Sequence, residues 1–366
     1  MKTTFTPEHH DGLARTGTVT TARGTFSTPC FMPVGTRGAV KHLASNDLED
    51  LGAQVILSNN YHLMLRPGAD VVETLGGLHN MADWNGHTLT DSGGYQIFSL
   101  EPKITDEGAT FKSVYDGSPH VMTPESAVES QIKIGADIQM VLDVCSALPS
   151  EDAVIRKALD RTVDWAGRAR SSFLAHPSAS SVQSQFGIVQ GGLDLAMRKE
   201  SAERTVDVGF DGYAVGGLSV GEHRDQWHDP LLAATNVLPT DQPRYFMGLG
   251  DPAGIVDAVA RGIDMFDCVL PTRLARHGTL LTSAGRTNLT RLEYATSDEP
   301  IDPEGPASRW SKGYLRHLLQ VREPTAQRIL TLHNLWWLLR FVDDMRAAIV
   351  EQRFEAFAAE THELWS

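Results

Sequence analysis

Three aspartates stand at the ends of short apolar segments, in the sequences LTDSGG, VLDVC and MFDCV: Asp91, Asp143 and Asp267. Aspartate is uncommon inside strands, and a buried carboxylate must be paired or functional because its desolvation is costly. Each of them alone could instead cap the helix that follows it. Because all three occupy equivalent positions, we predict that they meet in one pocket.

The residue types favour acid–base and nucleophilic chemistry over a metal centre, since no His or Cys cluster accompanies the carboxylates. Two carboxylates can carry out a retaining displacement at an anomeric carbon, one as the nucleophile and one as the proton shuttle. The third, together with Gln190, could recognise a guanine edge, because a carboxylate accepts hydrogen bonds and a glutamine amide also donates them. Any barrel enzyme that processes nucleosides could show this pattern, so it does not select the substrate.

Eight short apolar segments that end at Gly, Asn, Asp or Gln would position these residues. They are residues 31–35, 54–60, 88–93, 136–144, 185–191, 212–218, 244–250 and 265–270. Helical text fills most intervals, as at 151–174, so the alternation predicts an α/β fold, a (β/α)8 TIM barrel with its chemistry at the carboxyl ends of the strands. A doubly wound open sheet is the alternative, but FMPVGTRG poorly matches its phosphate loop.

Two stretches interrupt the alternation. Residues 98–125 predict a β-hairpin insertion after the third strand, with turns at 106–108 and 116–119. Residues 277–335 predict a second insertion, which opens with a hairpin that turns at 283–285. The expected division is therefore a catalytic barrel at 1–276, an inserted subdomain at 277–335 and a C-terminal helix at 336–366 that completes the barrel.

The charge is unevenly distributed along the chain. The net charge is −14, yet residues 271–330 contain nine Lys or Arg and six Asp or Glu, a local charge of +3. A basic patch on an acidic body can bind nucleic acid. The alternative is an ordinary solvated helical surface.

Composition and targeting signals narrow the class of protein. A hydrophobic content of 41% excludes disordered and fibrous chains. Three widely separated cysteines, Cys30, Cys145 and Cys268, indicate reduced thiols rather than a disulfide framework. Because neither a signal peptide nor an apolar run of about 20 residues is present, we expect a cytoplasmic protein without membrane attachment.

Several sequence blocks together resemble those of tRNA-guanine transglycosylases. They are DSGGYQIFSL (91–100), FGIVQGGLD (186–194), GFDGYAVGGLSVGE (209–222), RYFMGLGDP (244–252) and GIDMFDCVLPTRLARHGT (262–279). The similarity runs from about residue 15 to the C-terminus. It implies an enzyme that exchanges the wobble guanine of tRNAs with a G-U-N anticodon for 7-aminomethyl-7-deazaguanine, as a homodimer.

The resemblance assigns roles to the clustered polar residues. Asp267 would be the nucleophile that forms a covalent ribosyl-aspartate, and Asp91 the general acid/base. Asp143 and Gln190 would hold the edge of the base, with the backbone N–H of Gly217 as a further donor. These roles match the chemistry expected of the carboxylates.

The same resemblance assigns the walls of the pocket. Tyr95 and Met247 would sandwich the heterocycle, although ordinary barrel packing is an alternative for both. The Leu218 carbonyl and Glu222 would face the substituent at position 7 of the base. Val220, a β-branched residue, would restrict this part of the pocket, which favours the aminomethyl base over the bulkier queuine.

The tRNA would be held next to the nucleophile. In the resemblance, Arg273 and Arg276 hold the phosphates of the anticodon loop, and the 277–335 subdomain helps to dock the tRNA. The target base must leave its stack to reach the pocket.

One family feature is missing. Members usually bind a structural zinc through a Cys-x-Cys-x-x-Cys run and a histidine, but the corresponding segment, 300–319, contains no cysteine. His333 alone cannot form a tetrahedral site, so we expect no cofactor and no zinc, with Trp310, Trp336 and Trp337 as candidates to fill the space. The loss makes a non-catalytic tRNA-binding subunit an alternative. Two further alternatives do not depend on it: a queuine-salvaging enzyme, and a glycoside hydrolase that uses Asp91 and Asp267.

Overall fold

Eight parallel strands form a closed barrel in the computed structural model, which describes residues 3–218 and 222–365. In chain order, barrel strands 1 to 8 are Cys30–Pro33, Val55–Asn59, His87–Asp91, Ile138–Met140, Ser184–Val189, Gly212–Val215, Arg244–Phe246 and Met265–Cys268. Strand 8 pairs with strand 1, and strand 1 meets strand 2 through a bridge between Val34 and Leu57. This order confirms the predicted TIM barrel and excludes the open sheet.

Each barrel strand overlaps one predicted segment, but several strands end before the predicted apolar segment ends. Barrel strand 4 stops at Met140, whereas the predicted segment ran to residue 144. Barrel strand 5 stops at Val189 and barrel strand 6 at Val215. Several polar residues at the predicted ends therefore lie just beyond the paired backbone, where their side chains can reach the barrel axis.

Helices surround the barrel and connect its strands. Their bounds, with short 3-10 and π segments included, are Ser45–Asp50, Asn60–Leu63, Met64–Gly68, Ala69–Thr74, Gly77–Ala82, Gly94–Phe98, Pro124–Ile134, Asp152–Leu174, Pro177–Ser180, Leu195–Val208, Arg224–Trp227, His228–Thr235, Pro252–Val259, Leu270–Arg276, Leu292–Tyr294, Lys312–Gln320, Pro324–Val350 and Phe354–Trp365. The predicted 151–174 helix is confirmed as Asp152–Leu174.

A three-stranded antiparallel sheet precedes the barrel and was not predicted. Its strands are Thr4–Asp11, Ala14–Thr21 and Gly24–Thr28. Arg15, in the second strand, forms a buried ion pair of 2.7 Å with Asp264, the residue before barrel strand 8. The sheet therefore lies at the amino ends of the barrel strands, away from the predicted chemistry.

The insertion after barrel strand 3 is confirmed with one strand more than expected. Lys103–Ile104, Ala109–Lys112 and Pro119–Met122 form a three-stranded antiparallel sheet. Both predicted turns, at 106–108 and 116–119, connect these strands. The two-residue strand was too short to show an alternating pattern.

The second insertion begins with the predicted hairpin, whose strands are Thr279–Thr282 and Gly285–Asn288. The expected boundary at 335/336 lies inside the helix Pro324–Val350, which no Gly or Pro interrupts after its first residue. This helix packs against both the hairpin and barrel strand 1. Ile329 and Leu330, near the start of this helix, also belong to the apolar cluster of the insertion, so the helix is shared between the insertion and the barrel.

An apolar core fills the second insertion. It includes Leu280, Leu289 and Leu315, all fully buried, with Trp310 packed against it. Nε2 of His333 donates a 2.9 Å hydrogen bond to the Leu281 carbonyl. Burial of this apolar surface stabilises the lobe.

The tryptophans have different positions. Trp336 packs on the His333 ring, with centroids 5.8 Å apart. Trp337 instead stacks on Phe341 and belongs to the main core, so the idea that it fills the insertion is wrong.

The donor set does not fit a structural zinc site. All three cysteines are free and lie in or beside the barrel, outside the insertion. Throughout 3–218 and 222–365, no three His, Cys, Asp or Glu side chains are grouped to hold a metal ion.

We predict that the purified protein folds without zinc, because its insertion has an apolar core in place of ligands. Elemental analysis should find well under one zinc per chain, and excess chelator should leave the melting temperature unchanged. A stoichiometric zinc, or a chelator-induced loss of stability, would contradict this prediction.

Candidate active site

The carboxyl ends of the barrel strands open into one cavity of about 660 Å³. All seven polar or glycine residues from the strand ends line it: Asn59, Asp91, Asp143, Gln190, Gly217, Gly248 and Asp267. Tyr95, Leu218, Met247 and Arg273 line it as well. The expectation that three carboxylates meet in one pocket is therefore correct.

Asp267 is held through one of its two oxygens. Oδ1 accepts hydrogen bonds from the Tyr245 hydroxyl and, at 2.8 Å, from the backbone N–H of Gly248. No hydrogen bond from the described residues reaches Oδ2. Burial raises the pKa of Asp267, and the bonds from Tyr245 and Gly248 oppose that rise. The arrangement fixes the carboxylate and leaves one oxygen available to react.

Both carboxylate oxygens of Asp91 accept hydrogen bonds, unlike those of Asp267 among the described residues. Oδ2 accepts from the side-chain amides of Asn59 and Gln96, the latter at 3.0 Å, and Oδ1 accepts from the Asn60 backbone N–H at 3.1 Å. Burial raises the pKa of Asp91 to about 7, and the nearby charge of Asp267 adds to the increase. A carboxyl group that titrates near neutrality can both give and take a proton.

Asp143 and Gln190 form a hydrogen-bonded pair. Nε2 of Gln190 donates to Oδ2 of Asp143 at 2.7 Å, and burial raises the pKa of Asp143 to about 6. At neutral pH this pair presents a carboxylate and an amide side by side. It can therefore accept two hydrogen bonds and donate others, as recognition of a guanine edge requires.

Two glycines make room for this pair. A Cβ at Gly94 would lie 2.6 Å from Oδ1 of Asp143, and a Cβ at Gly217 would lie 2.2 Å from Oε1 of Gln190. Gly217 also has φ +65°, which other residues rarely adopt. Larger residues at either position would displace the polar pair.

Arg198 is a functional residue that the sequence analysis missed. It is fully buried and donates hydrogen bonds to the carbonyls of Val189, Gly192, Gly216 and Gly217, at 2.7–3.2 Å. It thereby ties together the loops that follow barrel strands 5 and 6, which present Gln190 and the Gly217 backbone. Nothing in the helix text LAMRKESAERT distinguishes this arginine from a solvated one.

Tyr245 and Gln96 were also missed. Tyr245 had a detectable signal, because it stands two residues before Met247 and so shares its face of an extended segment. Gln96 follows Tyr95 on the five-residue helix Gly94–Phe98. No spacing pattern connects it with Asp91.

The predicted stacking residues differ in their burial. Tyr95 lines the cavity with 58% of its surface exposed, so ordinary barrel packing does not describe it. Met247 is half-buried in the cavity wall. An exposed ring at a polar cavity can stack on a heterocycle.

The positions assigned to the 7-substituent are only partly described. Leu218 is buried in the cavity wall. Glu222 is half-buried and near enough for its charge to raise the pKa of Cys145, after burial and Asp143. Val220 lies outside the described residues.

Arg273 and Arg276 both lie on the helix Leu270–Arg276, directly after the Asp267 strand. Arg273 is exposed at the cavity, whereas Arg276 is half-buried and is not among the residues that line it. Neither forms an ion pair with a carboxylate in the part of the chain that the structure describes. Both cations are thus available to bind an anion.

A barrel with three buried carboxyl groups in one cavity at the carboxyl ends of its strands has the architecture of a TIM-barrel enzyme. The family model described as queuine tRNA-ribosyltransferase matches residues 10–366. The chain belongs to this family, the tRNA-guanine transglycosylases, and thus to the pentosyltransferases.

Three relatives show how far the similarity extends; each is named queuine tRNA-ribosyltransferase. The protein of Solidesulfovibrio magneticus is 50% identical over 99% of this chain and 98% of its own length. That of Desulfosudis oleivorans is 49% identical over 95% and 91%, respectively. That of Caulobacter vibrioides is 48% identical over 96% of both chains.

Within residues 3–218 and 222–365, no helix combines the length and the apolar character that crossing a bilayer requires.

We predict that Asp267→Asn stabilises the protein at pH 8. The asparagine carbonyl can accept from Tyr245 and Gly248, its amide can replace Oδ2, and no buried charge remains. The folded carboxyl holds its proton to a higher pH than the unfolded one, whose pKa is near 3.8. Wild type therefore loses stability as the pH rises from the unfolded pKa to the higher folded pKa, and the variant, which has no ionisable group there, does not.

The expected readout is a melting temperature above that of wild type at pH 8, by roughly 2 °C for each kcal/mol gained, and equal to it near pH 4. Asp91→Asn is the matched control, because three donors already face that carboxylate and an amide would oppose one of them. A lower melting temperature for Asp267→Asn at both pH values would refute the prediction.

Proposed function

We propose that this enzyme exchanges the wobble guanine of tRNAs with a G-U-N anticodon for 7-aminomethyl-7-deazaguanine through a covalent ribosyl-aspartate. The observation that carries the proposal is the contrast between two carboxyl groups in one cavity. Asp267 has an oxygen that receives no hydrogen bond from the described residues, and Asp91 has a pKa of about 7. These properties suit a nucleophile and a proton shuttle.

In the first displacement, Oδ2 of Asp267 forms a bond to ribose C1′ as the bond from C1′ to guanine N9 breaks. The departing guanine takes the proton of Asp91. In the second displacement, the Asp91 carboxylate removes the N9 proton of the incoming base, and N9 attacks C1′ and releases Asp267. Configuration at C1′ is retained, and protons and bonds balance over the two steps.

The base would be recognised in the part of the cavity that follows barrel strands 4 and 5. Asp143 would accept from N1–H and the exocyclic amine, and Gln190 would donate to the acceptor edge, with the Gly217 N–H beside it. Tyr95 and Met247 would enclose the ring. These hydrogen bonds would discriminate strongly between guanine and its analogues, because an analogue that lacks one group leaves a buried partner unpaired.

The tRNA would be bound by residues outside the base pocket. Arg273 and Arg276 would bind phosphates of the anticodon loop, and the insertion would help to dock the tRNA. A homodimer and a cytoplasmic location stay predictions from the sequence.

The first test measures incorporation of labelled guanine into an unmodified tRNA with a G-U-N anticodon. Wild type should exchange guanine. The rate of incorporation by Asp267→Asn should be lower by at least about 10³-fold, because the covalent intermediate cannot form. Its retained fold, checked by melting, would separate loss of chemistry from loss of structure.

Other outcomes would point elsewhere. Binding of tRNA by wild type without exchange would indicate a non-catalytic subunit. Release of reducing sugar from glycosides without action on tRNA would indicate a glycoside hydrolase. Undiminished exchange by Asp267→Asn would remove Asp267 from the nucleophile role.

Substrate choice is tested at Val220. If this side chain limits the space beside the 7-substituent, Val220→Gly should raise turnover of queuine relative to 7-aminomethyl-7-deazaguanine by about 10-fold or more. Val220→Ala should give an intermediate ratio. An unchanged preference, or efficient use of queuine by wild type, would contradict a restrictive role and favour the salvaging enzyme.

A further inference from the structure

Several arginines on the outer helices pair with carboxylates, as in Arg156 with Glu200 at 2.7 Å and Arg204 with Asp160 at 2.6 Å. At the carboxyl end of the barrel, Arg37 and Arg66 are exposed and form no ion pair within the described residues. In a chain of net charge −14, unpaired arginines at one place are a feature to be explained.

Arg37 and Arg66 converge on the same aromatic ring. Their guanidinium carbons lie 5.2 Å and 4.5 Å, respectively, from the ring centroid of Tyr115. Arg37 follows barrel strand 1, Arg66 belongs to the segment Met64–Gly68 after barrel strand 2, and Tyr115 comes from the insertion after barrel strand 3. Three separate loops therefore build this cluster.

The cluster adjoins the active-site cavity. The Tyr115 hydroxyl and Nδ1 of His62 are 2.9 Å apart, and His62 lines the cavity. Thr36, which precedes Arg37, lines it too. Burial, and then the charge of Arg37, lower the pKa of His62, so the imidazole is neutral at pH 7.

The neighbouring carboxylate does not neutralise the two cations. Asp116 directs its oxygen to the backbone N–H and the hydroxyl of Ser118, at 3.1 Å and 2.7 Å. The guanidinium groups of Arg37 and Arg66 thus lie within 5.2 Å of one ring centroid, with no counterion among the described residues. A bound anion would offset this unpaired positive charge, and planar guanidinium groups bind phosphate oxygens particularly well.

Positive charge continues from this cluster to Arg273. Lys41, four residues after Arg37, and Arg276 both lower the pKa of His42, after burial, so both cations lie near this histidine. Because barrel strands 8, 1, 2 and 3 are adjacent, the basic residues follow the rim between Asp267 and Asp91. Asp143 and Gln190 occupy the part of the barrel formed by strands 4 and 5.

We propose that Arg37 and Arg66, positioned by Tyr115, bind a backbone phosphate of the tRNA next to the guanosine that enters the cavity. This site is separate from that of Arg273 and Arg276, and it rests on the proposed function. It would hold the RNA chain on the strand 1 and strand 2 side of the target ribose. The ribose is then fixed between two phosphate contacts while its C1′ reacts.

The experiment measures binding of a fluorescent anticodon stem–loop RNA with a G-U-N anticodon by anisotropy, at several salt concentrations. The double variant Arg37→Ala/Arg66→Ala should bind about 10-fold or more weakly. Its plot of log affinity against log salt should lose roughly 0.7 in slope for each phosphate contact removed. In exchange assays the KM for tRNA should rise, and the KM for guanine should not.

Two sets of variants control this measurement. Arg156→Ala/Arg204→Ala removes the same charge from ion-paired arginines on the outer helices and should keep the wild-type salt slope. Tyr115→Ala should weaken binding like the double variant, and Tyr115→Phe, which keeps the ring, should restore most of the affinity. Melting temperatures of all variants test whether the fold is intact.

The outcomes separate this proposal from the function on which it rests. If Arg273→Ala weakens binding but the Arg37/Arg66 variant behaves like the Arg156/Arg204 control, the second phosphate site is overturned and the proposed function stands. If the wild type neither binds the RNA nor exchanges guanine, both are overturned. A loss of affinity in Tyr115→Phe as large as in Tyr115→Ala would remove the ring from its positioning role.

Discussion

Burial of three carboxyl groups in one cavity is the constraint on which the rest of this structure depends. Asp91, Asp143 and Asp267 are stabilised by neutral hydrogen-bond donors, and no cation forms an ion pair with any of them among the described residues. Desolvation therefore controls their pKa values and raises all three. A cation here would lower these values and would remove the group that titrates near neutrality.

The barrel meets this constraint by dividing the donors among its strands. Barrel strands 2 and 7 supply Asn59 and Tyr245, which serve the carboxylates of the neighbouring strands 3 and 8. Arg198 contributes its charge only indirectly, through four backbone carbonyls that shape the loops after strands 5 and 6. Burial lowers its pKa to about 9, which still leaves it protonated at neutral pH. Rigid parallel strands can hold such an arrangement because Asn59 and Tyr245 both belong to backbone-paired strands.

The charged residues of the surface are arranged differently from those of the cavity. The acidic body of the protein pairs its arginines with carboxylates on the outer helices, whereas the rim above barrel strands 8, 1 and 2 keeps Arg273, Arg37 and Arg66 unpaired within the described ranges. Local positive potential suffices to attract a polyanion even when the net charge is negative. The insertion has an apolar core around Leu280 and Leu315.

The sequence by itself determined the barrel and the identity of its central residues. Alternation of apolar runs with amphipathic helices is a local pattern, and aspartate at a strand end stands out against it, so Asp91, Asp143, Gln190 and Asp267 could be found without coordinates. The N-terminal sheet was not predicted because its two eight-residue strands, TFTPEHHD and ARTGTVTT, contain few apolar residues. The helix Pro324–Val350 was divided because no Gly or Pro marks a boundary within it, so the sequence did not show where the insertion and the barrel share it. Only the tertiary structure decided which donors meet each carboxylate: Asn59 reaches Asp91 and Tyr245 reaches Asp267 across the chain. Solvent exclusion and hydrogen bonding arise from atoms far apart in sequence, and these set the pKa values on which the chemistry depends.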